Sequence, residues 1–375
     1  MLSRFRQDRG TGQGLLRGGF GLLVGGVLSA ALIAGNGGSG KPFADPLETA
    51  APQRSAVASR PFQAMALAGE RLVAVGQRGL VATSEDGGVT WEQRPIPVQV
   101  DLVAVDFVDD LYGWASGHDG VLLGTQDGGL TWQRQFDGRE GPALADHYHQ
   151  QTDTVADAEM LAGQIERNFG QGPWLPMLDV HFSSRSTGFA LGSFGMLLSS
   201  EDGGDSWQPA LHRIDNPDYL HLNAMETVGA ATLIASERGT IFRREGEAVF
   251  QPVATGHGGT FFSLASHGDT VLAGGLRGVV YLSRDAGRSW QSVTSGLTQT
   301  VSAIRWLPSR QSFVLVTIGG EVARTDLDAT HFSAVHGFQP GIHTSVIAMG
   351  PSLIVGGMQG LQRSGESDKA TGAQP

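Results

Sequence analysis

An apolar run followed by two turn residues and a glycine recurs seven times along the chain. It reads LVAVGQRG ending at Gly79, GWASGHDG at Gly120 and GFALGSFG at Gly195. It continues as LIASERG at Gly239, VLAGGLRG at Gly278, VLVTIGG at Gly320 and LIVGGMQG at Gly360. Successive glycines lie 41, 75, 44, 39, 42 and 40 residues apart, so one interval alone breaks the rhythm. Each unit reads as four short strands. In the second unit these are residues 102–108 (LVAVDFV), 113–117 (GWASG) and 121–125 (VLLGT), with a fourth opening at Thr131 and Trp132. A glycine turn between the second and third strands supplies the positive φ of a tight hairpin. Four strands per unit, repeated seven times, predict an all-β fold, a seven-bladed β-propeller with four-stranded blades. A lone blade cannot bury both faces, so neighbours must stack and the ring must close. The last unit runs out after Arg363, with no room for a fourth strand. Residues 52–59 (PQRSAVAS) precede the first inner strand, at about 61–68, and are expected to supply that outer strand and close the ring.

These elements set the boundaries. The propeller is expected over 52–363, a flexible linker over 35–51 and a disordered tail over 364–375. Residues 1–34 read as a signal peptide. Arg4, Arg6, Arg9 and Arg17 precede the uncharged run GFGLLVGGVLSAALIA, which has small residues near Ser29–Ala31 and at Ala34, and that run is short for a membrane span. Cleavage and export to the periplasm is the leading expectation. An uncleaved anchor, the only membrane contact foreseen, is the rival. The formal charge of −11 argues against a nucleic-acid partner, which needs a basic face. With no cysteine, disulfides, thiolate metal sites and cysteine nucleophiles are excluded.

A second motif occurs four times: SEDGGVTW, TQDGGLTW, SEDGGDSW and SRDAGRSW. Its Asp and Trp are Asp86 and Trp91, Asp127 and Trp132, Asp202 and Trp207, and Asp285 and Trp290. The Asp carboxylate can accept from N–H groups of its own turn, the glycines supply unusual backbone angles, and the Trp buries a large ring. The motif therefore reads as a structural staple between the third and fourth strands. FRREGEAVF and ARTDLDATHF look like worn copies in blades four and six. All four intact copies resemble the Asp box of the BNR repeat families, S/T-x-D-x-G-x-T/S-W. Blades reading GWASGHDGVLLGTQDGGLTW look most like the Ycf48/Hcf136-related photosystem II assembly factors, over roughly residues 60–363. That resemblance implies a non-catalytic propeller that engages client proteins as an assembly or accessory factor for a membrane complex or transporter, without a cofactor.

Sialidases also carry Asp boxes, so a glycan-active hydrolase or a lectin is the alternative. It would require an arginine triad, an acid and a Tyr–Glu pair. Tyr112, Tyr148, Tyr219 and Tyr281 do not form such a set in sequence, and no arginine-bearing motif precedes the first box. Calcium at the boxes is disfavoured, because one or two carboxylates make a poor site.

Propeller geometry sorts the loops. Turns between second and third strands share one face with the blade-to-blade connections, and the Asp boxes lie on the other. The first face carries Arg78, His118, Asp119, Phe194, Glu237, Arg238, Arg277 and Gln359. Arg78, Arg238 and Arg277 share the form x-Arg-Gly. They are either solvated turn residues or a ring near the channel mouth that reads acidic groups. By resemblance, they are the positions that would carry an arginine-rich client surface. The long interval places an insert, about 135–176, on this face. Its middle reads as helix, with Met160, Leu161, Ile165 and Phe169 as one apolar stripe. DHYH in that insert puts His147 and His149 two residues apart. A zinc site there competes with the plainer reading of a helix start capped by Asp146, and the plainer reading is preferred. His147 and His149 join the candidate partner-binding set, with no metal assigned.

Overall fold

The structure, a computed structural model, describes residues 44–350 and 352–364. It is a seven-bladed β-propeller: six antiparallel sheets have four strands and the seventh has three, each strand pairing with its neighbour in sequence. The seven inner strands are Phe62–Ala68, Leu102–Phe107, Met177–Phe182, Leu222–Val228, Phe261–His267, Val301–Leu307 and His343–Met349. They line a central channel of about 600 Å³. The second strands are buried almost end to end, as in Gly113–Gly117 and Gly188–Gly192. Stacked sheets cover both faces of such a strand, so it reads as a continuous apolar run rather than an alternating one.

Every inner strand shifts register against its neighbour after its first residue. This bulge bends the strand locally. The fourth residue (Met65, Val105, Val180, Met225, Leu264, Ile304, Val346) goes into the core, while the third and, except for Ala265, the fifth line the channel.

The Asp boxes are staples, as their chemistry predicts. The Asp127 carboxylate accepts from Thr125 Oγ1 at 2.9 Å, Leu130 N at 3.0 Å, Thr131 N at 2.9 Å and Thr131 Oγ1 at 2.6 Å. Thr125 Oγ1 in turn accepts from Gly129 N, and Trp132 Nε1 donates to Gly129 O. Each box also presses on the preceding blade. A Cβ at Gly129 would lie 3.1 Å from Val73, and one at Gly204 would lie 2.1 Å from Gln135 Oε1. Side chains are excluded there twice over, by space and by a φ above +80° at both glycines. Blade six keeps half of the staple, with Asp326 accepting from Thr330 N and Oγ1 at 2.8 and 2.6 Å.

Ring closure differs from expectation. Residues 52–59 add no fourth strand to blade seven: Ala56 has a left-handed φ of 51°, and Val57–Ser59 is a short 3-10 turn packed on the last strand, Gly360–Arg363. Pro52 and Pro61 bracket the segment and withhold amide donors that a ladder would need. Its hydrogen bonds go instead to blade one, with Arg54 N donating to Gln93 Oε1 and Gln93 Nε2 to Pro52 O. Side chains close the ring. Thr344 Oγ1 donates to Phe62 O at 2.9 Å, Arg363 Nε donates to Gly87 O at 3.0 Å, and Ile354 packs with Phe62, Met65 and Leu72.

Residues 44–51, expected within the linker, are instead strapped to the propeller. Leu47 is 3% exposed beside Val98 and Val100, and Arg139 holds Glu48 at 2.7 Å. The signal-peptide reading, residues 35–43 of the linker and the tail from 365 lie outside the described residues. Among those described, no helix is long and apolar enough to cross a membrane.

The insert forms two helices, α1 (Gly141–His149) and α2 (Ala158–Phe169). Asp146 is not a cap: it lies inside α1, which starts at Gly141 with Pro142 in its first turn. The stripe on α2 is Leu161, Ile165 and Phe169, all buried. Met160 points away from it and is 52% exposed. One residue of offset along a helix turns a side chain through about 100°.

Candidate functional site

Five of the candidate residues occupy one backbone niche. Arg78, Asp119, Phe194, Arg238 and Arg277 have φ of 56°, 56°, 54°, 52° and 58°, each directly before the hairpin glycine. A left-handed residue at a hairpin tip projects its side chain outward, and all but the half-buried Asp119 are exposed. The structure does not bring the three arginines together at the channel mouth. They stand on hairpins one strand out from the inner strands, and none lines the channel. Arg238 pairs with Asp218 at 2.9 Å, and Arg78 donates to Gln99 at 3.3 Å while its amide donates to Asp101. Burial raises the Asp119 carboxyl against the opposing effect of the exposed His118. Glu237 accepts from the amide of His221, whose ring meets Phe194 edge-on at 4.8 Å.

The insert packs onto this same face. Gln164 of α2, nearly buried, donates to Phe194 O at 3.0 Å. Tyr148 of α1 is fully buried; its hydroxyl lies 3.0 Å from His212 Nδ1 and accepts from the His212 amide. Burial pushes the Tyr148 hydroxyl up to about 12. Between α2 and the connection 211–219 runs a groove of about 460 Å³. His147 and His149 diverge. His147 Nε2 meets Gln151, whereas the His149 ring lies between Glu159 and Glu166 at 3.4 and 3.1 Å. The hydrogen bond to Glu166 raises His149, and burial lowers His147.

Sequence reasoning missed a charged layer in the channel. The fifth residue of successive inner strands is Ala66, Asp106, His181, Glu226, Ala265, Arg305 and Ile347, and all but Ala265 line the channel. Asp179 joins from a third position. These carboxylates bridge blades: Asp106 accepts from Phe182 N at 3.1 Å, Asp179 from Met225 N at 2.7 Å and Glu226 from Ser266 N at 3.0 Å. His181 Nδ1 lies 3.1 Å from Asp106, and its Nε2 lies 2.8 Å from Thr227 Oγ1. Burial pushes the Asp179 carboxyl up to about 7, outweighing its backbone hydrogen bond from Met225, and raises Glu226 as well. Burial opposes charge on His181 too, but the carboxylates of Asp106, Asp179 and Glu226 hold its imidazolium up to about 9. Aligning the seven inner strands at the fifth position would have exposed this layer. Its members are 75, 45 and 79 residues apart in sequence, from Asp106 to His181, Glu226 and Arg305.

No tyrosine meets a carboxylate nucleophile partner among the described residues. Tyr112 lies under Arg185, Tyr148 meets His212, and Tyr281 packs between Phe261 and His257. Tyr219 sits exposed in a loop with a φ of +53°.

Residues 65–161 match the family model described as photosynthesis system II assembly factor YCF48. The solved structure of YCF48 bound to D1 peptide is 14% identical, with a TM-score of 0.59 over 82% of this chain and 93% of that one. YCF48 from Cyanidioschyzon merolae is 14% identical, with a TM-score of 0.58 over 84% and 98%. The WD40 propeller domain of Doa1 is 15% identical, with a TM-score of 0.56 over 85% and 95%. No curated protein matches the sequence. The chain has a β-propeller fold like that of these structures, and its residues 65–161 resemble the YCF48 family. The family match spans blades one and two and part of the insert, and the likeness of fold extends round the ring.

Proposed function

We propose that this chain is a non-catalytic propeller that binds a protein partner through the face bearing the insert, as an assembly or accessory factor for a membrane protein complex or transporter. The observation that carries the reading is the concentration of exposed apolar and charged tips on that face. Phe194 stands on a hairpin that the two-helix insert touches through Gln164, and Arg238 and Arg277 stand on the corresponding hairpins of the next two blades. A long ordered insertion over one face of a rigid scaffold is a common way to build a binding surface. The YCF48 structure with a D1 peptide supports peptide binding by a propeller of this shape. A periplasmic location after export fits the basic and apolar N-terminal segment.

A photo-cross-linking residue placed at Met160 tests this in cells, with a matching probe at Val89 on the Asp-box face. The expected result is a specific membrane-protein adduct from position 160 that position 89 does not give. Charge reversal at Arg78, Arg238 and Arg277 should reduce recovery of that adduct. Equal labelling from both faces would refute the assignment, and turnover of chromogenic sialosides by the purified chain would favour the hydrolase alternative.

A further inference from the structure

We propose that the groove between α2 and the connection 211–219 is a docking site for an exposed segment of a partner protein that places an apolar side chain next to lysine or arginine. The proposal rests on the partner-binding reading above and names the chemistry of the segment. The groove is lined by Val155, Met160, Leu161, Leu211, Ile214 and Pro217, and its volume of about 460 Å³ accommodates a few large side chains. Met160 and Tyr219, exposed by 52% and 37%, stand on its opposite walls.

Charge decides which segment fits. The groove lining holds two carboxylates, Asp157 and Asp215. Neither carboxylate has a hydrogen bond or ion pair among the described residues. Neighbouring acids are engaged: Asp218 by Arg238, Glu247 by Arg213, and Glu159 and Glu166 by His149. Asp157 is the N-cap of α2, yet its side chain makes no capping bond, because its backbone is left-handed at φ 59°. Tyr219 across the groove is left-handed as well, at φ 53°. The nearest histidines do not offset the acids at neutral pH. Burial, with Arg213 and His147 nearby, holds His212 below the usual histidine range, and burial does the same for His147.

A purely apolar segment laid over this groove would desolvate two unpaired carboxylates, which is costly unless a cation arrives with it. A second copy of this chain fits poorly, since its net charge is −11. A segment with an apolar anchor and adjacent basic residues satisfies both features of the groove. The basic residues would lie against Asp157 and Asp215, with the anchor between Met160 and Ile214.

The test uses three fluorescein-labelled peptides with the full chain, read by fluorescence anisotropy. One has a Leu-Leu-Lys-Arg centre, one a Leu-Leu-Glu-Glu centre and one a Ser-Ser-Lys-Arg centre, in the same Gly-Ser flanks. The first should bind, the other two at least ten-fold more weakly, and added salt should weaken the first. The Asp157→Asn/Asp215→Asn double variant should lose at least ten-fold in affinity for the first peptide. Both sites are exposed, so the fold should persist, and an unchanged melting temperature checks it. Failure of the basic peptide to bind, equal binding of the acidic peptide, or unchanged affinity in the double variant would overturn the proposal. If the basic peptide fails while position 160 still cross-links a partner, the groove chemistry is wrong and the partner-binding face stands.

Discussion

Removing the Asp179 carboxyl gives the sharpest test of how the channel layer acts on the fold. Asp179 stands on the third inner strand with Oδ1 on Val180 N at 3.0 Å and Oδ2 on Met225 N at 2.7 Å. Its ordinary value of 3.8 rises to about 7 in the folded chain. A carboxyl raised on folding favours the folded state while protonated. That stability is present below 3.8 and declines as pH rises towards 7, because the folded chain then holds a proton that the unfolded chain has released. At about 1.4 kcal/mol for each pH unit, the ceiling is about 4 kcal/mol. Channel water and the coupled charges of His181, Asp106 and Glu226 reduce it to roughly 2 kcal/mol. His181 acts in the same direction over the next interval. Its raised value, about 9 against 6.5, stabilises below 6.5 and is lost as pH rises through 9. Asp127, Asp202 and Asp285 are lowered by their box hydrogen bonds, despite burial at Asp127 and Asp285, so they stabilise above their ordinary 3.8 and lose this as pH falls. The wild-type melting temperature should therefore peak near pH 4 to 5 and decline by several degrees towards pH 8. Asp179→Asn should flatten the decline between pH 4.5 and 7, while starting lower because the amide NH2 replaces one of the two oxygens that each accept a separate backbone N–H. Thermal melts by circular dichroism at half-unit steps would show this. Identical slopes for the two proteins, or a wild-type maximum above pH 7, would refute the reasoning.

Three further outcomes follow from packing. Trp114 is stacked on Phe182 at 3.5 Å and donates to Gly203 O at 2.8 Å, tying blade two to the next box, so Trp114→Ala should cost about 3–5 kcal/mol in urea unfolding. Gly239→Ala and Gly229→Ala share a left-handed backbone, with φ of 70° and 60°. A Cβ at 239 would lie 1.9 Å from His257 O, whereas one at 229 meets nothing within 4 Å. The first should therefore destabilise clearly more than the second, and equal denaturation midpoints would contradict the close approach. Leu47→Ala should cost about 2–4 kcal/mol, since residues 44–51 belong to the folded unit; a loss under about 0.5 kcal/mol in the same assay would return the segment to the linker.

The sequence alone determined the blades. The apolar runs ending at Gly79, Gly120 and Gly195 and the four boxes are local patterns with a local cause, because strand period, hairpin glycine and Asp-turn chemistry act within about eight residues. The face shared by the hairpin tips and the insert followed from the same strand order. Four things depended on atoms far apart in sequence. Ring closure rests on Thr344 against Phe62 and on Ile354 against Leu72, not on the strand expected from residues 52–59. The groove required Asp157 and Asp215 to meet across two connections. The three arginines, alike in sequence, stand on blades one, four and five, outside the channel lining. The channel layer formed only when the inner strands were bulged and wrapped, bringing Asp106, His181 and Glu226 onto one wall. Local chemistry writes a blade, but burial and charge at the centre of a ring exist only once all seven blades stand around it.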